Sequence, residues 1–109
     1  MTPEGELKTN VIALLNGLLR EPEFFLRMNS GKLRVRGGWM QMCPEGTADF
    51  VAYLKNQRTV WLELKAGTTK KDRIEKQKEF RDKVLSLGHE YAECWSVADV
   101  LNALGERTI

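Results

Sequence analysis

The chain has 109 residues, 42% of them hydrophobic and 29% charged, and its net charge is +2. This size and composition indicate one compact soluble domain spanning residues 1–109. No apolar run reaches the roughly 20 residues of a membrane helix, and the N-terminus lacks the basic-then-apolar order of a secretion signal. We therefore expect a cytoplasmic protein without a membrane partner. Cys43 and Cys94 are expected to be unpaired thiols, while their spacing leaves a disulfide open.

The N-terminal part of the chain changes from helical to extended patterning. Apolar residues at helical spacing predict a helix over about residues 3–19. An extended segment begins at Phe24, and residues 32–36 alternate polar and apolar as a half-buried strand does. Gly37-Gly38 breaks this strand, which residues 39–42 can resume. For the apolar side chains there we expect packing in the core, with a dimer surface as the alternative; they are Trp39, Met40 and Met42.

Two strands are predicted in the middle of the chain, over residues 48–54 and 59–65, and form a hairpin at the centre of the sheet. A helix capped by Thr69 or Asp72 runs to about Leu87. Residues 91–95 form a last strand, and a capping box at residues 96–99 opens a helix to about Leu104. The order α-β-β-β-β-α-β-α predicts an α/β fold in which helices flank one mixed sheet.

Charged residues interrupt the central hairpin. Strand alternation places Glu63 and Lys65 on the face of Trp61, opposite two leucines. A structural ion pair, or an edge strand with a solvated outer face, would also explain Glu63 and Lys65. E-x-K is a common tripeptide, so this pair alone is weak support for a functional site. Asp49 opens the preceding strand within reach of Glu63, and two converging carboxylates repel unless a cation such as Mg²⁺ lies between them. Lys65 could then orient or deprotonate a water, or offset phosphate charge, in phosphodiester hydrolysis.

Two polar residues also fall on apolar helical stripes. Glu4 lies three residues before Leu7 on the first helix, and Gln77 lies three before Phe80 on the second. A residue at such a position is often just a satisfied hydrogen-bond partner. Because both helices face a sheet that already carries Asp, Glu and Lys, we expect Glu4 and Gln77 to share one site with them.

These residues and short motifs occur along the chain in a characteristic order. Along the chain come Glu4, the R-x-N-S-G stretch at 27–31, G-T-A-D ending at Asp49, E-L-K at 63–65, and Gln77 followed by Phe80 and Gly88. From Glu4 to Leu104 the chain resembles the virus-type replication-repair nuclease (VRR-NUC) group of the PD-(D/E)xK nuclease superfamily. It departs from the pattern before Asp49, where Thr47-Ala48 stands in place of the superfamily proline.

This resemblance implies a restriction-endonuclease-like fold and a structure-selective DNA endonuclease that depends on Mg²⁺ or Mn²⁺ and needs no organic cofactor. It implies a homodimer acting on branched DNA, such as Holliday junctions, in repair, recombination or replication in a bacterium or a phage-infected host. It also implies roles for individual residues. Asp49, Glu63 and the Leu64 carbonyl bind metal, Lys65 orients or activates water, Gln77 supports the site, and Glu4 or Glu6 completes it, directly or through a water.

Basic residues cluster in two segments that could hold a DNA backbone without reading its sequence. The first supplies Arg27, Asn29, Ser30, Lys32, Arg34 and Arg36, and the second supplies Lys70, Lys71 and Arg73. A solvated hairpin and a solvated helix are the alternative explanation. The rival function is a non-catalytic nucleic-acid-binding module on a nuclease scaffold, which would account for the basic segments but not for the carboxylates.

Overall fold

The computed structural model of the protein describes residues 2–29, 32–67 and 71–105, with the backbone alone at Lys32, Gln41, Lys71 and Asp72. The helices are α1 (Pro3–Leu18), α2 (Lys71–Ser86) and α3 (Val97–Leu104). The strands are β1 (Phe24–Arg27), β2 (Lys32–Val35), β3 (Gly38–Gln41), β4 (Phe50–Leu54), β5 (Arg58–Leu64) and β6 (Glu90–Cys94). None of the described helices has the length and apolar character needed to cross a membrane.

Four of the strands form one mixed sheet in the order β1-β4-β5-β6. The pairs β1–β4 and β4–β5 are antiparallel, whereas β5 and β6 are parallel. Parallel neighbours need a crossover connection, and α2 lies in it. The predicted hairpin at the centre of the sheet is therefore confirmed, as is an α/β fold with one mixed sheet.

Helices pack on both faces of this sheet. The main core lies on the face covered by α1 and α3, where Val11, Leu15, Phe50, Leu62 and Val100 are completely buried. On the opposite face, α2 contacts the sheet through side chains that include Gln77 and Phe80. Alternation along β5 thus turns its leucines to the main core and Glu63 to α2.

Arg58 ties the first residue of β5 to β6 and to the end of α3. Its guanidinium donates two hydrogen bonds to the Glu90 carboxylate, at 2.8 and 2.9 Å, which lowers the pKa of Glu90. It also donates to the carbonyls of Leu104, at 2.9 Å, and Ala103, at 3.2 Å. These carbonyls are in the last turn of α3 and have no partner within the helix, so Arg58 caps it.

The prediction of a single interrupted strand over residues 32–42 is wrong. Gly37 and Gly38 have φ angles of 92° and 147°, and the turn that they form separates β2 from β3. Five strands therefore precede α2 instead of four. Among the residues that the structure describes, these two strands pair only with each other, as a hairpin outside the four-stranded sheet.

The described side chains of this hairpin are not in the core, contrary to the expectation for its apolar residues. Trp39 is 67% exposed, Met40 48%, and the following Met42 45%. The physical reason is that none of the helices in the described part of the chain covers a face of this two-stranded hairpin. Exposure excludes packing of these residues in the core, while the dimer surface stays a prediction.

Helix α2 covers the sheet only over its middle turns. Gln77 and Val84 are buried on the predicted stripe and Phe80 is partly buried, but Ile74 is 48% exposed. Leu87, which was expected to end the stripe, follows the last residue of α2 and is 75% exposed. The middle turns are therefore the part of α2 that positions side chains against β5.

Candidate active site

Asp49 immediately precedes β4 and is held by contacts from α1, from β5 and from the residue that follows β1. Its Oδ2 accepts a hydrogen bond from the Leu64 N–H at 2.8 Å, and its backbone carbonyl accepts one from Met28 N–H at 2.8 Å. From α1, Lys8 Nζ lies 3.8 Å from Asp49 Oδ1. The carboxylate of Asp49 is therefore held between α1 and the last residues of β5.

Glu63 lies across the hairpin from Asp49 and is only 4% exposed. The register pairs Phe50 with Leu62, so its continuation brings Asp49 opposite Glu63. Glu63 Oε1 accepts a hydrogen bond from Gln77 Nε2 at 3.0 Å. Glu63 Oε2 is buried without a hydrogen-bond partner in the part of the chain that the structure describes. A buried carboxylate oxygen without a donor is costly.

The electrostatic state of Glu63 reflects this environment. Burial raises its pKa to about 8, and the charge of Asp49 also raises it. The nearby charges of Lys65 and Arg73 lower the pKa but do not compensate. Glu63 therefore keeps a proton near neutral pH in the absence of a cation, because ionisation would leave two carboxylates together in a poorly solvated place.

Lys65 and Gln77 complete a buried polar chain. Lys65 is 8% exposed and Gln77 is 7% exposed. The Lys65 ammonium donates to Gln77 Oε1, while the amide nitrogen of Gln77 donates to Glu63. One glutamine side chain thus holds the glutamate and the lysine in fixed relation, as its position on the stripe of α2 predicted.

A tight turn before Asp49 packs against α2 and so links the start of β4 to that helix. The Thr47 N–H and hydroxyl both donate to the Pro44 carbonyl, at 3.2 and 2.7 Å, and Gly46 has a φ of +88°. A Cβ at Gly46 would overlap the Lys76 carbonyl and lie 2.9 Å from the backbone nitrogen of Gln77. Only glycine allows this approach. The turn, which contains no proline next to Asp49, therefore packs on α2 beside Gln77.

Glu4 is not where its spacing predicted. It is exposed, as is Glu6, and no described contact joins either of them to Asp49, Glu63 or Lys65. The first turn of α1 lies before the buried part of the helix, which begins near Val11. Lys8, one turn after Glu4 on the same helical face, is the α1 residue that reaches Asp49. Sequence reasoning missed Lys8, although its spacing from Glu4 could have indicated it.

The structure describes the side chains of only some of the residues that were predicted to contact DNA. Exposed side chains include those of Arg27, Asn29, Arg34, Arg36 and Arg73. Arg73 is the one whose charge acts on Glu63. Ser30 and Lys70 lie outside the described residues, and only the backbone is described at Lys32 and Lys71.

The donor set fits a hard cation that needs few protein ligands. Among the described residues there is no group of three or more Asp, Glu, His or Cys that could hold a metal. Magnesium commonly binds one or two carboxylates and keeps several waters, so Asp49 and Glu63 suffice. The Glu63 oxygen without a donor is a suitable ligand, while participation of the Leu64 carbonyl remains a prediction.

Comparisons of this chain with models of protein families, with curated proteins and with solved structures found no match. Its function must therefore be inferred from the site itself. The two cysteines do not contribute to the carboxylate pair, and they form no disulfide.

Proposed function

We propose that the protein is a Mg²⁺- or Mn²⁺-dependent, structure-selective DNA endonuclease of the VRR-NUC type. The observation that supports this most is a pair of carboxyl groups, Asp49 and the buried Glu63, so close together that the charge of Asp49 raises the pKa of Glu63. A structural ion pair with Lys65 would explain a satisfied carboxylate. It does not explain a second carboxylate beside it, nor an amide placed between the glutamate and the lysine.

Each residue has a distinct part in this proposal. Asp49 and Glu63 would hold the metal, which would polarise a phosphoryl oxygen and favour attack by water. Lys65 places a positive charge next to Glu63, where it offsets the negative charge that develops on the phosphate. Gln77 positions Lys65 and Glu63 through its two hydrogen bonds. Lys8 restrains Asp49 from the side of α1.

The exposed basic residues suit binding of the DNA backbone. Arg34 and Arg36 belong to the β2–β3 hairpin and its turn, and Arg73 lies near the carboxylates. Contacts of arginine with phosphates position a strand without reading its sequence. This supports structure-selective cutting, with branched DNA such as Holliday junctions as the substrate class and repair, recombination or replication as the process.

A homodimer is part of the same proposal. Leu33, Val35 and Met40 share one face of the β2–β3 hairpin, each at least 38% exposed, and Trp39 is exposed on the opposite face. Such contiguous apolar exposure marks interaction surfaces. Two copies related by a two-fold axis would present two sites to the two symmetric strands of a four-way junction.

The function is tested by incubating the protein with labelled duplex, flap and four-way-junction DNA in Mg²⁺, Mn²⁺ or EDTA. We expect metal-dependent cleavage of branched DNA, its loss in Asp49→Ala and Lys65→Ala, and retained DNA binding by both variants. Glu93→Gln is the matched control, because Glu93 is the exposed partner of Glu63 on β6. Binding without cleavage in either metal would instead support the non-catalytic module.

A further inference from the structure

A cavity of about 380 Å³ opens between the turn before β4, strand β5 and helix α2. Its volume falls in the range of small-molecule sites. Its lining includes two aromatic rings, those of Trp61 and Phe80, and the thiol of Cys43. Four charged side chains also line it: Lys76, Lys83, Glu45 and Glu79. None of these residues belongs to the carboxylate pair or to the basic segments assigned to the backbone.

The cavity adjoins the carboxylates along the sheet. Trp61 precedes Glu63 by two residues, and Thr47, which also lines the cavity, precedes Asp49 by two. Two residues of a strand span about 6.6 Å, and phosphates in one DNA strand are about 3.4 Å apart along a duplex. A base in this cavity would therefore belong to a nucleotide close to the phosphate at Asp49 and Glu63.

The lining suits an uncharged aromatic ring better than a phosphate. Trp61 and Phe80 meet edge to face, with ring centroids 4.9 Å apart, and both are partly buried. The two lysines and two glutamates leave no net charge to attract an anion. Aromatic side chains bind bases of single strands by stacking, and the charged groups at the rim can hydrogen-bond to the polar edges of a base.

We propose that this cavity receives one unpaired nucleobase of the DNA strand that the carboxylate pair holds. The proposal rests on the proposed function, since it takes DNA as the substrate, and it adds a source of structure selectivity. A flap or an open junction offers an unpaired base at no cost, whereas a duplex must first lose pairing and stacking. Trp61 thereby becomes a specificity-determining residue.

Cys43 provides a reporter that needs no cleavage. Cys94 is fully buried, which raises its pKa to about 12, so alkylation by iodoacetamide will report on Cys43, which lines the cavity. The wild-type protein is labelled in EDTA with a saturating flap oligonucleotide, and with the same oligonucleotide carrying abasic sites at its unpaired positions. We expect the complete flap to slow labelling several-fold and the abasic flap to leave the rate unchanged.

The affinities of both oligonucleotides are measured for two tryptophan variants. Trp61→Leu should weaken binding of the complete flap about tenfold and leave binding of the abasic flap unchanged. Trp95→Leu is the control, because Trp95 is 59% exposed and does not line the cavity; it should bind both flaps as the wild type does. If Trp61→Leu does not fold, the labelling rates and affinities of the wild-type protein with the complete and the abasic flap still test the proposal.

Equal binding and equal protection by the complete and the abasic flap would overturn the proposal. Failure of the proposed function is recognised separately, as absence of cleavage in every metal. The labelling and affinity experiments run in EDTA, so a failure of base binding is distinguishable from a failure of cleavage.

Discussion

Replacement of Glu63 by glutamine should remove most of the pH dependence of stability between pH 5 and 8. In the folded protein, burial and the charge of Asp49 raise the pKa of Glu63 from its ordinary 4.5 to about 8. In the unfolded chain the carboxyl ionises with its ordinary pKa. Between the two values the folded state binds more protons than the unfolded state, so stability falls as the pH rises.

The size of this effect follows from the shift. One pKa unit corresponds to about 1.4 kcal/mol, so the wild type should lose about 3–4 kcal/mol of unfolding free energy between pH 5 and pH 8. That is a large part of the roughly 5–15 kcal/mol that stabilises a typical domain. Glutamine keeps an acceptor for Gln77 but carries no charge, and the variant should therefore be more stable than the wild type at pH 8.

Urea unfolding at pH 5, 6, 7 and 8, followed by circular dichroism in EDTA at constant ionic strength, measures this slope. Glu93→Gln serves as the control, because Glu93 is an exposed carboxylate on the neighbouring strand, and its slope should equal that of the wild type. An identical slope in the wild type and in Glu63→Gln would refute the reasoning, since it would show that Glu63 ionises at its ordinary pKa.

Three further variants, one of them a double substitution, test other parts of the account. Gln77→Leu should lower the free energy of unfolding by about 1–3 kcal/mol and reduce cleavage, because Glu63 and Lys65 lose the amide that joins them; unchanged urea unfolding would argue against a structural link. Gly46→Ala should destabilise by more than about 1 kcal/mol, since its methyl group would overlap the α2 backbone; an unchanged melting temperature would contradict this close approach. Arg34→Gln combined with Arg36→Gln should weaken junction binding for all sequences and reduce the slope of log affinity against log salt by about 2. A gel-shift titration with an unchanged slope would show that these arginines do not contact phosphates.

The polar residues of the site could be predicted where the periodicity of a strand or helix determines which face a side chain occupies. Alternation along 59–65 puts Glu63 and Lys65 on one face, and helical spacing puts Gln77 on the stripe that meets this face. The structure brings these three residues into contact. Asp49 could be placed because a hairpin fixes which residues of its two strands are opposite each other.

Other features depend on where a helix or strand is no longer covered by neighbouring elements. A local sequence pattern does not contain this information. Residues 32–36 alternate like a half-buried strand, yet β2 and β3 pair only with each other. Glu4 has the spacing of the α1 stripe, but that stripe is buried only from Val11 onward. The cavity beside Trp61 arises from contacts between distant segments, so no single stretch of sequence indicates it.

Titration of Mn²⁺ into the metal-free protein at pH 7, followed by calorimetry, tests the central claim most directly. We predict saturable binding by the wild type with release of protons, because the cation displaces the proton that Glu63 holds beside Asp49. Asp49→Asn and Glu63→Gln should each weaken the affinity at least about tenfold, whereas Glu93→Gln should not. Equal Mn²⁺ affinity in the wild type and in both site variants would show that the carboxylate pair is not a metal site.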